Sequence, residues 1–182
     1  MNPRTKNRLY LLLIVAAFAI PMALAFVLRF EGWHPVKTRN SGDLVEPPRD
    51  VSAVPVTLAD GSKLVWRDPA WQWTLLALPG AQCAAVCRER LDEILRMRLT
   101  LGRNAERLRV VYLGPALPAD FIAARTPLLA GSDDSGAFSG DRAKDGDDLA
   151  LALVDPNGAL MMRYGQGYDA RGLREDVVKV LH

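Results

Sequence analysis

Residues 71–101, WQWTLLALPGAQCAAVCRERLDEILRMRLTL, decide the fold of this chain. Trp71–Leu78 is a short and nearly unbroken apolar run, which is typical of a central strand covered on both faces. Pro79 and Gly80 end that run. After them, Cys83–Leu101 repeats apolar residues at helical spacing, with charged residues on the other side: Cys87, Leu91, Ile94, Leu95 and Leu99. We therefore predict a buried strand that leads directly into an amphipathic helix.

The rest of the domain alternates strand-like and helix-like segments. Further strands are expected at Arg107–Leu113, Leu149–Val154 and Ala159–Tyr164. The other segments are expected to be a hairpin within Val54–Trp66, a short helix at Pro118–Arg125, a long loop at Gly131–Asp148 and a terminal helix with Leu173 and Leu181 on its apolar face. The turn signal Asp155–Gly158 should join the last two strands as an antiparallel hairpin. This order of elements predicts an α/β fold, a mixed sheet with helices on both faces.

The start of the chain predicts a membrane anchor. Leu9–Leu28 carries no charge and is long enough to cross about 30 Å of hydrocarbon. Basic residues without any acid precede this segment, so the positive-inside rule makes residues 1–8 a cytoplasmic tail. A cleaved signal peptide with its site near Ala23–Ala25 is the alternative. Either interpretation exports the domain that follows.

Residues 29–50 predict an extended tether, because they combine prolines and scattered charges with no sustained apolar period. The remaining residues, 51–182, are enough for one domain with a sizeable core. The chain has 23 basic and 21 acidic residues, but residues 1–30 contain basic residues only, so the exported part has a slight excess of acid. Nucleic acid is therefore not expected as a partner.

The only two cysteines, Cys83 and Cys87, lie where the central strand leads into the helix. A cysteine at a helix N-terminus faces unpaired backbone N–H groups and the positive end of the helix dipole, which favour its thiolate. Cys83 is therefore the candidate reactive sulfur, and Cys87 lies one turn further on the same face. The pair suits disulfide exchange or Cu(I) binding. A structural disulfide, or two small buried side chains, is the alternative.

Two further points bear on this pair. A disulfide at this spacing requires Cys83 to lie in the loop before the helix, because a regular helix holds the two side chains poorly for the bond. A closed zinc site needs four Cys or His ligands, and the only histidines are His34 in the tether and His182 at the end of the sequence. Asp147 and Asp148 offer carboxylates, but a charged loop is more often simply solvated. The third ligand of a Cu(I) site is therefore unknown.

Together these features resemble the Sco family of thioredoxin-like copper proteins, which are membrane-tethered assembly factors for the CuA centre of cytochrome c oxidase. The resemblance covers about Trp71–Leu181 and rests on the Cys-x-x-x-Cys motif after the first central strand and on Leu153–Gly158 with the strand and helix that follow. Three shorter pieces look like small proteobacterial membrane proteins found with cytochrome oxidase assembly genes: Asn40–Val45, Cys83–Arg88 and Asp155–Tyr164.

The resemblance implies a thioredoxin-like domain in the periplasm, held by a single N-terminal helix in the bacterial inner membrane. Its implied role is accessory to respiratory oxidase assembly, with a membrane oxidase subunit or another assembly factor as partner. Cys83 would be the nucleophile or first copper ligand, and Cys87 the resolving thiol or second ligand. Any enzymatic activity would be of the thiol-disulfide oxidoreductase type. The competing interpretation is a non-catalytic, membrane-tethered interaction module with a structural disulfide.

One departure from the family concerns copper. Sco proteins complete their copper site with a histidine in the loop before the third strand, which falls near Asp147 or Asp148 here. Neither position nor any neighbour is histidine. Carboxylates are hard donors and suit Cu(I) poorly. Thiol exchange and transient copper handling by two thiolates both stay open.

Overall fold

The apolar run after Trp71 forms the central strand of a seven-stranded sheet in the computed structural model, which describes residues 3–30, 40–67 and 69–181. The strands are β1 (Asp43–Asp50), β2 (Val56–Leu58), β3 (Trp73–Pro79), β4 (Leu108–Leu113), β5 (Leu128–Asp133), β6 (Leu149–Val154) and β7 (Ala159–Tyr164). The helices are α1 (Pro3–Phe30), α2 (Ala85–Leu99), α3 (Ala119–Ala123) and α4 (Ala170–Leu181).

The strand order is β1-β7-β6-β3-β4-β5-β2. β3, β4 and β5 run parallel to one another, and every other neighbouring pair is antiparallel. The predicted strands around β3 and the predicted hairpin of β6 and β7 are confirmed. The mixed sheet with flanking helices is the thioredoxin-like architecture that the resemblance implies.

The chain divides into two units, residues 1–39 and residues 40–182. In the first unit, α1 contains the predicted membrane segment, and Lys6–Leu28 has a mean hydropathy of 2.8. By length and composition this helix is a candidate membrane span.

Alternating side chains of the central strands face two separate apolar clusters. On one face, Leu75 and Val110 pack with the apolar sides of α2 and α4. On the other face, Leu76 and Val111 pack with Trp66 and Phe138, which belong to irregular segments. The prediction of helices on both faces is therefore wrong, because irregular chain covers the second face in their place.

The sequence-based boundaries are wrong in two further places. The last part of the predicted tether is β1, an edge strand that pairs with β7 through its backbone and leaves most of its side chains exposed. The predicted loop begins inside β5, where Gly131 lies so close to β2 that an added Cβ would be 2.5 Å from the carbonyl oxygen of Thr57. Contrary to the sequence-based prediction, the apolar side of α2 does not include Leu99. Leu99 is 71% exposed because it lies about 120° around the helix from Cys87.

Buried carboxylates fasten the start of the domain to its other elements. Asp176 of α4 is 1% exposed and accepts hydrogen bonds from the backbone of Ser41 at 2.7 Å and Gly42 at 3.1 Å. It also accepts the hydroxyl of Tyr164 at 3.3 Å and pairs with Lys179 at 2.9 Å. Four donors therefore converge on one carboxylate, which fixes the entry of the chain into the domain.

A second buried carboxylate, Asp141, has a side chain only 3% exposed. It pairs with Arg49 of β1 and with Arg163 of β7, the latter at 2.8 Å. These two ion pairs hold the loop before β6 against the edge of the sheet. That loop also carries Asp147 and Asp148.

Replacing Asp176 tests the first of these carboxylates. We expect Asp176→Ala to lower the free energy of unfolding by about 3 kcal/mol, because each buried donor left without an acceptor costs about 1–3 kcal/mol. The loss is measured by urea unfolding of the full chain in detergent, followed by tryptophan fluorescence. Glu175→Ala removes an exposed carboxylate from the same helix and should change stability by less than about 0.5 kcal/mol. Equal losses in the two variants would contradict the assignment.

Candidate functional site

The two cysteines form a disulfide at the carboxyl end of β3, with their Cα atoms 5.0 Å apart. Cys83 lies in the loop before α2, as a disulfide at this spacing requires, and Cys87 lies in the first turn of the helix. The side chain of Cys83 is 9% exposed, whereas that of Cys87 is fully buried. A partner that approaches the pair therefore meets Cys83 first.

The residues next to Cys83 leave room for such an approach. Residues 84–86, between the two cysteines, are all exposed, and Val86 is 48% exposed. Beneath them, both sulfurs pack into the same apolar cluster as Leu75 and Leu91. The pair thus sits between a buried core and an exposed apolar rim.

The N-terminus of α2 is capped by a carboxylate that lies 60 residues further along the chain. Oδ1 of Asp147 accepts the backbone N–H groups of Ala84 at 2.6 Å and Cys87 at 3.2 Å, and Oδ2 accepts that of Val86 at 3.1 Å. The prediction that this loop residue is simply solvated is wrong. Asp147 contacts the backbone of the cysteine motif itself.

Hydrogen bonding also fixes the charge of this carboxylate. Partial desolvation raises the pKa of Asp147, but the backbone N–H groups of Val86, Ala84 and Cys87 outweigh it and hold the pKa below its ordinary value. Asp147 is therefore ionised at neutral pH. The helix N–H groups that would favour a Cys83 thiolate are occupied by this carboxylate.

The sequence did contain a signal for this cap. Position 84, where the cap residue of α2 lies, is alanine, which supplies no side-chain acceptor. A helix start without its own Ser, Thr, Asp or Asn needs an acceptor from elsewhere. Sequence reasoning missed Asp147 because nothing local shows which distant carboxylate arrives there.

Backbone contacts hold the loop of Asp147 over the cysteine loop. The N–H of Gln82 donates to the carbonyl of Gly146 at 2.8 Å, and that of Gly80 donates to the carbonyl of Asp148 at 3.2 Å. A Cβ at Gly80 would lie 2.0 Å from the carbonyl oxygen of Asp145, so only glycine lets the two loops lie this close together. The two loops are therefore fixed relative to each other.

Gln166, in the turn after β7, secures the same loop from the other side. Its Oε1 accepts the backbone N–H groups of Lys144 at 2.9 Å and Asp145 at 3.1 Å. Its Nε2 donates to the Asp145 carboxylate at 2.7 Å. The position of Asp147 thus depends on contacts from both β3 and β7.

Two arginine side chains of α2 lie over aromatic rings near the site. The guanidinium carbon of Arg90 is 5.3 Å from the ring centroid of Tyr168, a buried residue in the same apolar cluster as the cysteines. Burial, with Glu93 nearby, raises the pKa of the Tyr168 hydroxyl, so this group stays protonated. Arg88 stacks in the same way over Phe121, at 5.5 Å. These side chains surround α2 with positive charge that is already paired with aromatic rings.

The described part of the chain contains no group of three or more His, Cys, Asp and Glu side chains placed to hold a metal ion. His34 and His182 lie outside the described residues. Asp148 turns to the backbone N–H of Leu149, at 2.7 Å, and Asp147 to the helix. The structure brings Cys83 and Cys87 together with Asp147, but it adds no third soft ligand within the described ranges.

Comparison with known proteins gives one family and several similar folds. Residues 73–182 match the family model described as "Transmembrane-like, thioredoxin-like, C-terminal domain". No curated protein matches the chain by sequence.

Among solved structures, copper-bound yeast Sco1 is similar over 80% of this chain and 94% of its own, with 16% identity and a TM-score of 0.56. Copper-bound ScoI of Bradyrhizobium japonicum is similar over 76% of this chain and 98% of its own, with 17% identity and a TM-score of 0.50. The bacterioferritin comigratory protein of Xanthomonas campestris is similar over 76% and 94%, with 15% identity and a TM-score of 0.50. At these identities the likeness shows the fold alone, a Sco-like thioredoxin fold.

The family model covers most of the sheet and all the helices of the second unit, including both cysteines and Asp147. It spans more than half of the chain. The chain therefore belongs to the family of transmembrane-like proteins with a thioredoxin-like C-terminal domain.

Proposed function

We propose that this chain is a membrane-anchored accessory factor for respiratory cytochrome oxidase assembly, which acts by thiol-disulfide exchange through Cys83 and Cys87. The observation that carries the proposal is the unequal burial of a bonded pair at the start of α2. Cys83 is 9% exposed and adjoins an exposed apolar rim, whereas Cys87 is fully buried. This is the arrangement that a nucleophile and its resolving thiol require.

In the reduced form, the thiolate of Cys83 attacks a disulfide of the partner and forms a mixed disulfide. Cys87 then attacks the sulfur of Cys83, which closes the intramolecular disulfide and releases the partner as a dithiol. Two electrons and two protons pass from the pair to the partner. The reverse reaction proceeds through the same mixed disulfide.

The strand pairing shows at which end of the sheet β1 begins. β1 starts opposite the end of β7, β7 ends opposite the start of β6, and Leu149 at the start of β6 pairs with Pro79 at the end of β3. The chain therefore enters this domain at the end of the strands where Cys83 also lies. We propose that residues 1–8 are cytoplasmic, that 9–28 span the bacterial inner membrane, and that the domain acts in the periplasm on a membrane oxidase subunit or another assembly factor.

The competing proposal is an interaction module in which the disulfide only stabilises the fold. The reduction potential of the pair separates the two, and we expect a value above about −300 mV, since structural disulfides lie below that. The measurement is equilibration of the full chain with dithiothreitol redox buffers, followed by thiol alkylation. The Cys83→Ser, Cys87→Ser double variant is the control and should show no transition. A potential well below that limit would remove the exchange function.

A variant that traps the mixed disulfide can identify the partner. We expect Cys87→Ser to leave Cys83 able to attack a partner disulfide but with no thiol to resolve the product, so a mixed disulfide should accumulate. The complex is detected on non-reducing gels of membranes from the native host and identified by mass spectrometry. Cys83→Ser is the matched control, because it retains only the buried sulfur. Capture of oxidase subunits or assembly factors by Cys87→Ser alone is the expected result. Equal capture by both variants would contradict the assigned roles.

Copper transfer is the second candidate, because two proteins of similar fold are copper-bound in their structures. Here copper would be cargo held by two thiolates, which suit Cu(I). The carboxylate nearest the pair, Asp147, is a hard donor already engaged with the helix. The donor set therefore fits transient handling better than storage.

The copper candidate has a direct test. We expect the reduced chain to retain one Cu(I) against a moderate-affinity chromogenic competitor, because two thiolates alone suffice for a two-coordinate site. The Cys83→Ser, Cys87→Ser double variant should retain none, and neither should the oxidised wild-type protein. If the reduced wild-type chain gives up its copper to the competitor, the copper candidate is excluded.

A further inference from the structure

We propose that Asp147 is a positioning residue that lowers the reduction potential of the Cys83–Cys87 pair, so that the reduced pair acts as an electron donor to a partner disulfide. The inference rests on the proposed exchange function and adds to it a direction and the residue that sets that direction.

The first step is the geometry of the helix start. A cysteine thiolate before a helix is stabilised by the free N–H groups of the first turn and by the helix dipole. Here the N–H groups of Ala84, Val86 and Cys87 all donate to Asp147, at 2.6, 3.1 and 3.2 Å. The donors that would stabilise a Cys83 thiolate are therefore already used.

The second step is the charge that occupies this place. Asp147 accepts one of its hydrogen bonds from the backbone of Cys87 itself. Within the described ranges no salt bridge to Asp147 is found, and the groups that hold its carboxylate are backbone N–H donors. A second negative charge on either sulfur would be repelled, whereas the neutral disulfide is not affected.

The third step is burial, which acts in the same direction. Cys87 is fully buried and Cys83 is 9% exposed, so both thiolates would lose most of their hydration. Strongly oxidising pairs are those whose reduced form is stabilised. Both features of this site instead disfavour the thiolate, so ionisation adds little stability to the reduced form and the pair is more reducing.

The loop of Asp147 is held by contacts that do not involve the disulfide. It is bonded to Gln82 and Gly80 on one side and to Gln166 on the other. At Gly80 the loop lies directly against the end of β3, where an added Cβ would be 2.0 Å from the carbonyl oxygen of Asp145. Asp147 therefore keeps its place at the start of α2 in both redox forms, although its charge opposes only a thiolate.

The reaction balances as a two-electron exchange. The two thiols of the pair become a disulfide, and the partner disulfide takes up the two electrons and two protons and becomes a dithiol. The pair is then returned to its dithiol form by a second protein dithiol of lower potential. Both co-reactants are thus thiols or disulfides.

Removing the charge while keeping the cap tests this inference. Asparagine caps a helix about as well as aspartate does. Its amide oxygen can still accept the N–H groups of Ala84 and Cys87 and only the bond from Val86 is lost, so Asp147→Asn should fold. We expect it to shift the equilibrium constant for reduction by dithiothreitol at least tenfold toward the dithiol, which corresponds to about 30 mV. Asp147→Ser, which also keeps an acceptor, should shift it in the same direction. Both are measured in the full chain at one fixed pH, with circular dichroism to verify the fold.

Asp148→Asn is the matched control, because it removes a neighbouring carboxylate whose hydrogen bond goes to Leu149 and not to the first turn of α2. It should change the constant less than threefold. An unchanged constant in both Asp147 variants, or an equal shift in Asp148→Asn, would overturn the role of Asp147 while leaving the exchange function intact. A wild-type disulfide that dithiothreitol does not reduce would instead overturn the proposed function itself.

Discussion

The helix that begins between the two cysteines has no side-chain cap of its own, and the carboxylate of Asp147 supplies one from another part of the chain. The first N–H groups of a helix need acceptors. Here Asp147 accepts them, so these hydrogen bonds join the loop after β3 to the loop before β6. Through this contact the cysteine motif and the long acidic loop become one structure. The position of each depends on the other, and the disulfide lies where they meet.

The position of Asp147 at the start of α2 depends on residues far from the sulfurs. The loop of Asp147 fits over the cysteine loop only because position 80 has no Cβ. Its far end is held by Asp141, whose ion pairs reach Arg49 and Arg163 at the edge of the sheet. The site therefore depends on β1 and β7, which β6 separates from β3 in the sheet.

The elements that the sequence predicted correctly are those whose signal lies within one short segment. β3, α2 and the β6–β7 hairpin were predicted because their apolar period and turn residues lie within one short segment. β1 was missed because an edge strand forms through backbone pairing and needs no apolar period. The role of Asp147 was missed for a related reason. Its function comes from a hydrogen bond to residues 84–87, and no local pattern specifies a contact across that distance.

The same contact bears on the choice between copper and thiol chemistry. The resemblance would place a soft imidazole near Asp147, free to complete a site with two sulfurs. Asp147 instead has three N–H donors, and turning toward a metal would leave the start of α2 uncapped. That loss would oppose copper binding, in addition to the mismatch between a hard oxygen donor and Cu(I). A fixed carboxylate has no such conflict with disulfide exchange, because it acts through its charge without changing its own hydrogen bonds. The cap therefore favours the sulfur chemistry of this fold over its metal chemistry.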